Sequence, residues 1–486
     1  MHPSGPRRRD AQPRAQAMST ADVDDASLAR LYDLLIGALS PDMASRVHAE
    51  AELSACAASP GAYVAALALV ASHPHALPEV VQLALVLIKQ SARAGWERAA
   101  DVRPLVRERL LALLGHATPR VRVAAAVAIA AVAEHDWPDG WPTLFDELTA
   151  RLRAGSAVVA HGSLRAIEML IGELDGDRLN GAFEGEGGLV AELSRIAGAD
   201  VTAAGNDAGV TDRLRRRALR TLARIVEQLA IVVPCGPAGP RYAQRAFEAW
   251  IRLFLAHAGA YAHADARRAA ADDGGANAEH ACALSACGAM LAMCQLLGAL
   301  VASFPRQRLL CEPSTALALL NGAWAVLARA ACDDAGGARC DGADSDGGGQ
   351  GDDALVLAAL ELLGALTEAR AFRALVRASL DRLFADLLAL MRVPAAQARE
   401  WEDDVSAFIE ADADESLAYS VRVAAAELCD EQLHNFKGQA LVAMLRVARA
   451  ALEASGERRA CASRTTGGGG GGAYGGRSGN LSLIHI

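Results

Sequence analysis

The residues of this chain that could perform covalent chemistry are few and poorly spaced for it. Lysine occurs only at Lys89 and Lys437. A phosphate-cradling loop needs Gly-Lys-Ser/Thr, yet Lys89 follows Ile88 and Lys437 follows Phe436. The 10 cysteines include no CxxC pair. Cys282, Cys287 and Cys294 fall in one predicted helix, at spacings that do not close a tetrahedral zinc site. The 12 histidines are dispersed, and neither an HExxH helix nor a GxSxG elbow occurs. Gly185-Glu186-Gly187-Gly188 has no strand before it, which a dinucleotide fingerprint requires. The residues therefore predict no enzyme, no catalytic site, no metal and no cofactor. The cysteines read as buried reduced thiols.

What remains is binding chemistry, and it is acidic. The formal net charge is -10, which argues against direct nucleic-acid binding and favours basic partners. The stretch Trp401 to Ser416 carries Glu402, Asp403, Asp404, Glu410, Asp412, Asp414 and Glu415 without one basic residue. Residues 332–353 add seven aspartates against Arg339 alone. Two readings of these segments stand: they steer a basic cargo, or they are solvated loops.

The elements that must position such segments are helical. The chain has 486 residues, 52% hydrophobic but 4% aromatic, and strand-like alternation is hard to find. From Thr118 to Leu148 it reads as an alanine-rich helix, a turn and a second helix. Val121, Ala124, Ala125, Ala128, Ile129 and Val132 recur at three- and four-residue spacing, with apolar residues on the flanks as well. A helix apolar on most faces must be covered on both sides, so it belongs inside a stack of helical pairs. Pro138 ends the first helix near Trp137 and Pro142 suits the start of the next. Trp137, Pro138, Trp141 and Pro142 thus form a structural turn whose indoles are expected to fill core. Val121 to Ala126 recurs identically at Val421 to Ala426, with a looser variant at Asp212 to Leu219. A helical pair every ~40–47 residues is the period of HEAT or armadillo arrays. The predicted fold is an all-α, HEAT-repeat superhelical solenoid.

The expected organisation is a disordered arm over 1–26, N-terminal repeats over 27–116, HEAT repeats over 117–331, a mobile acidic insertion over 332–353, further repeats over 354–454, and a Gly-rich, truncated or non-native tail over 455–486. Met18 is an alternative start. Residues 198–210 and 258–278 read as loops. No membrane insertion is expected: Leu284 to Phe304 comes nearest to a span and fits a buried repeat helix better. An exposed apolar face near Leu441–Leu452 is expected where the array stops.

Several motifs carry a resemblance. Arg46-Val47-His48-Ala49-Glu50-Ala51-Glu52-Leu53, then Val81 to Gln90, then Gly95-Trp96, resemble the importin-beta (karyopherin-beta) N-terminal domain. Ile88 stands where leucine is commoner. Asp136-Trp137-Pro138…Trp141-Pro142 is similar to that family's pair of Trp-Pro dipeptides. Trp401 to Glu410, followed by Tyr419-Ser420-Val421-Arg422, resembles the importin-nine branch, with Asp404-Val405 in place of Asp-Pro. The resemblance covers residues 28–454 and implies a nuclear import receptor that shuttles between cytoplasm and nucleus through the nuclear pore. Its implied partners are the GTPase Ran in its GTP form, basic cargo such as histones or ribosomal proteins, and phenylalanine-glycine repeats of nucleoporins. It assigns Ran contact to the N-terminal repeats, where Arg46, Glu50, Lys89 and Gln90 are the polar candidates. The acidic residues of 402–415 are the cargo candidates. An exportin of the same superfamily and a HEAT scaffold outside transport are the alternatives.

Overall fold

The computed structural model describes residues 24–154, 156–174, 179, 188–198, 208–232, 241–270, 276–304, 312–336, 349–370, 372–393, 401, 403, 404, 406 and 420–466. Among them every regular element is helical. The chain divides into two compact units, Met1–Glu192 and Leu193–Ile486.

In the first unit the helices are α1 (Asp25–Ala38), α2 (Met43–Cys56), α3 (Pro60–Ala71), α4 (Pro78–Gly95), a 3₁₀ segment (Trp96–Val102), α5 (Arg103–Leu113), α6 (Pro119–Asp136), α7 (Leu144–Ala154) and α8 (Ala157–Glu173). Their starts follow local chemistry. The Asp24 and Asp42 carboxylates accept from the backbone N–H of Ser27 and Ser45, capping α1 and α2. Pro60, Pro78, Pro104 and Pro119 occupy first-turn positions, where a missing N–H costs nothing. The helices pack in successive pairs, α1 on α2, α3 on α4, α5 on α6 and α7 on α8, while α4, α6 and α8 form a row of their own. The middle member, α6, is covered from both sides. Ala125, Ala126, Ala128, Ile129, Val132 and Ala133 have no measurable exposure. Small side chains let neighbouring backbones close in. At Gly162 of α8 a Cβ would lie 2.1 Å from the carbonyl oxygen of Leu114.

The boundary between the units falls within α9 (Leu189–Ala197). The second unit then contains α10 (Ala208–Val232), α11 (Arg241–Ala270), α12 (Ala276–Ser303), α13 (Pro313–Gly336), α14 (Gly349–Glu368), α15 (Arg373–Ala378), α16 (Leu380–Leu390), α17 (Val421–Phe436) and α18 (Gly438–Thr466). Alternate helices again form rows, α10–α12–α14–α17 on one side and α11–α13–α16–α18 on the other. The repeated hexapeptide sits in one register in both units. Val121 and Val421 are buried near the start of α6 and α17, and Ala125 and Ala425 one turn later have no exposure. In α12 the stretch Ala286–Ser303 is long and apolar enough to cross a membrane by length and composition. It is mostly buried and packs against α10, α11 and α14. In α18, Leu441, Val442, Leu445 and Leu452 are exposed.

Several boundaries differ from the sequence expectation. The loop expected over 258–278 is helical to Ala270 and again from Ala276. Alanine is the strongest helix former, and the alanines of 258–270 outweigh the single Gly259. Both ends of the 332–353 insertion are helical, since α13 reaches Gly336 and α14 begins at Gly349. Helix α18 likewise continues to Thr466. Within the repeats expected over 354–454, the helices Arg373–Ala378 and Leu380–Leu390 are separated at Ser379. Residues 1–23, 199–207, 337–348 and 467–486 lie outside the described residues.

Two glycines of α8 test the close approach. Gly162→Ala gains helix propensity but drives its methyl into the Leu114 carbonyl, so urea unfolding is expected to show a loss of roughly 1–3 kcal/mol. Gly172→Ala meets nothing within 4 Å and is expected to be neutral or to stabilise by up to about 1 kcal/mol. Equal effects at both positions would contradict the packing described.

Candidate partner-binding surfaces

The turn after α6 is built around a buried charge. Asp136, the last residue of α6, has a side chain with no exposure. Its Oδ2 accepts from Arg107 Nε at 2.9 Å and from Arg107 Nη2, while Arg103 Nη1 stands 3.1 Å from Oδ1. The same arginines reach further. Arg107 Nη1 donates to the Gly140 carbonyl at 2.7 Å, and Arg103 Nη2 donates to the Trp96 carbonyl at 3.1 Å. Arg103 lies over the Trp96 ring and Arg107 over the Trp141 ring, at 5.6 and 5.3 Å from the ring centroids, within cation–π range. The Asp136 carbonyl also accepts from the backbone N–H of Gly140 and Trp141, which closes the turn. The peptide Trp137–Pro138 is cis. Trp137 and Trp141 are both buried, and Trp137 meets Phe145 of α7 edge to face at 5.3 Å. Pro138 is half-buried and Pro142 exposed, and α7 begins beyond it at Leu144. This turn is therefore interior structure, and it fixes how α5, α6 and α7 join.

The N-terminal candidates lie on two helices. Arg46 of α2 is half-buried, with Nη1 donating to the Ser40 carbonyl at 3.4 Å and Nη2 beside Met43 Sδ at 2.9 Å. It ties down the α1–α2 connection. Glu50, one turn later, is exposed. Lys89 and Gln90 lie on α4, the first half-exposed and the second exposed. No hydrogen bond or ion pair joins the two sets among the described residues. Glu50, Lys89 and Gln90 are thus available to a partner, whereas part of Arg46 is engaged at home. Near Arg46 the surface is apolar as well: Ile36, Leu39, Met43 and Val47 are exposed at the α1–α2 corner.

Of the acidic segment, Asp403 and Asp404 are exposed and Trp401 is half-buried. Asp404 Oδ1 accepts from the Ser406 N–H at 2.8 Å. Glu402, Glu410, Asp412, Asp414 and Glu415 lie outside the described residues. Among the described residues no cluster of three His, Cys, Asp or Glu side chains is placed to hold a metal ion. Cys287, Cys294 and Cys429 are buried free thiols. Burial pushes Cys294 up to about 12, which makes it inert.

Sequence reasoning missed Arg103 and Arg107. Both precede the turn in the chain, and their local signal is only two arginines one helical turn apart. Their partner lies 29 residues from Arg107, beyond any local pattern.

No family model matches the chain. Among solved structures it is similar to the exportin Cse1 in its cargo-free, cytoplasmic state, with a TM-score of 0.54 and 13% identity over 88% of this chain and 44% of that one. Weaker likenesses are to Kap121p bound to RanGTP (TM-score 0.44, 16% identity, 85% of this chain and 41% of that one) and to importin beta (TM-score 0.36, 15% identity, 86% and 53%). The chain spans about half or less of the length of these proteins. The likeness to Cse1 shows the fold, an all-α HEAT-repeat solenoid.

The clamp makes a stability prediction. Asp136→Ala leaves two largely buried guanidinium groups without their carboxylate and is expected to cost roughly 3–5 kcal/mol. Trp137→Ala, which empties a buried indole site, is expected to cost about 3–5 kcal/mol. Differential scanning calorimetry of the two variants checks both, and unchanged melting temperatures would contradict the described burial.

Proposed function

We propose that this chain is part of a nuclear transport receptor of the karyopherin-beta class, a binding protein and not an enzyme. The observation that carries the reading is the Asp136-Trp137-Pro138…Trp141-Pro142 turn. It supplies a specific motif of the sequence resemblance, and it occurs at the junction of helical pairs in a HEAT-repeat fold. The likeness in fold to an exportin supports it. In this reading the first helical pairs contact Ran-GTP through α2 and α4, with Glu50, Lys89 and Gln90 as contact residues and Arg46 positioning the α1–α2 corner. Phenylalanine-glycine repeats carry the receptor through the pore, and the protein shuttles between cytoplasm and nucleus. Basic cargo of the histone or ribosomal type is held by the acidic residues of 402–415, as the importin-nine resemblance suggests. Import is the direction proposed. Coupling of Ran and cargo is then a free-energy linkage between two sites on one chain. Export is the second reading, favoured by the fold likeness to Cse1.

The test is retention of Ran on the immobilised chain. Ran locked in its GTP form is expected to be retained and Ran-GDP washed through; equal loss of both would overturn the proposal. Glu50→Arg and Lys89→Glu, at positions with no ion pair among the described residues, are expected to weaken that retention while leaving the helical content unchanged. A histone pair added with Ran-GTP separates the directions, since displacement indicates import and strengthened binding indicates export. Replacing the seven acids of 402–415 by Asn and Gln is expected to weaken histone binding at moderate salt and to flatten its salt dependence. An unchanged affinity and slope would remove those residues from the cargo site.

A further inference from the structure

In the second unit a groove of about 580 Å³ runs over α12, between α10 and α14. Its floor is made of small residues: Ala223 of α10, Gly298 and Ala299 of α12, and Ala358 of α14. Its two lips are charged and opposite. Arg220 and Arg224 line it from α10, and Glu361 lines it from α14. All three are exposed, and none is in an ion pair among the described residues. Glu227, one turn past Arg224, ends the basic lip. Between the lips α12 contributes no charge at all from Ala286 to Phe304. Beyond Glu361 the acidic side deepens. Glu368 follows two turns later on α14, and Glu431 of α17 is raised first by burial and then by the charge of Glu368. Two arginines without an ion pair among the described residues thus face Glu361 across the groove.

The shape of the groove selects its occupant. Residues lining it recur along each helix at three- to four-residue steps: Arg220, Ala223, Arg224 and Glu227 on α10, Gln295, Gly298, Ala299 and Ala302 on α12. Walls with that corrugation interdigitate with the ridges of another helix, and a floor of alanine and glycine lets its backbone come close. An extended strand would find no unpaired backbone groups to bond, because the groove is made of helices throughout. A nucleic acid would meet the carboxylates of Glu227 and Glu361 beside the two arginines, with no basic stripe to follow its phosphates.

We propose that this groove docks one α-helix of a partner protein, lying along α12, with small residues against the floor, carboxylates toward Arg220 and Arg224, and basic residues toward Glu361 and Glu368. The inference stands apart from the transport reading, since it involves neither the N-terminal helices nor the 402–415 segment.

The experiment is fluorescence anisotropy with the whole chain and fluorescein-labelled alanine-leucine helical peptides of about 18 residues, long enough to hold a helix with side-chain support. The probe carries Glu along one edge and Arg along the other. The controls are the same composition scrambled, the same peptide with a central proline, and a peptide acidic on both edges. The two-edged helix is expected to bind, and the controls to bind about tenfold or more weakly. Arg220→Glu/Arg224→Glu, a change confined to exposed side chains and checked by circular dichroism, is expected to lose the two-edged helix by a similar factor and to gain a peptide basic on both edges. The proposal is overturned if the wild-type chain ignores the two-edged helix, if any control binds as well, or if the charge-reversed chain binds that helix unchanged. Ran retention by the same preparations is read separately, so loss of one result leaves the other intact.

Discussion

The Asp136 carboxylate, sealed between Arg103 and Arg107, is the constraint on which the first unit depends. A buried ion pair often contributes little net stability, because desolvation consumes the Coulombic gain. Its value here is positional. One carboxylate collects two arginines of α5, those arginines cover Trp96 and Trp141, and the backbone of the same aspartate closes the turn into α7. Three successive helices are thereby set by one side chain. Removing the carboxylate leaves two largely buried guanidinium groups without their counter-charge, so the geometry is specified more sharply than burial of alanines alone would specify it.

The second recurring device is smallness. Alanine and glycine contribute little apolar area each, but they let helices approach until backbone meets side chain. Gly162 against Leu114 is the extreme case in the first unit. In the second unit, Gly322 lies close enough to Phe254 that a Cβ would come within 2.6 Å of its ring. A stack made this way needs few aromatic residues, which suits a chain with 4% of them. It also shapes the surface. Where small residues face outward along α12, they leave a trench between charged lips, so the composition that permits close packing also produces a place to bind.

The sequence displayed the helical character and the pairing plainly, because α6 has apolar residues at helical spacing on nearly every face and the Trp-Pro turn marks its end. The register of the repeated hexapeptide was equally legible, with Val121 and Val421 in matching positions. Other features were hidden for physical reasons. The stretch 258–270 looked like a loop because Gly259 and polar residues interrupt it, yet alanine propensity carries the helix through. The roles of Arg103 and Arg107 depend on a carboxylate in the following helix, which no periodicity reveals. The groove over α12 was invisible because its residues come from three helices separated by long stretches of chain, and alanine in sequence says nothing of whether it faces core or trench. The polar candidates Glu50, Lys89 and Gln90 were found by resemblance, and the structure adds that they are accessible.

The most direct measurement of the central claim is native-state hydrogen exchange of the first unit. If the Asp136 clamp and the close-packed alanines hold that unit together, the amides of Ala125 to Ala133 exchange only through global unfolding and are its most protected group, well above those of the largely exposed α2. Exchange of the α6 amides at the rate of α2, through local opening, would contradict the account.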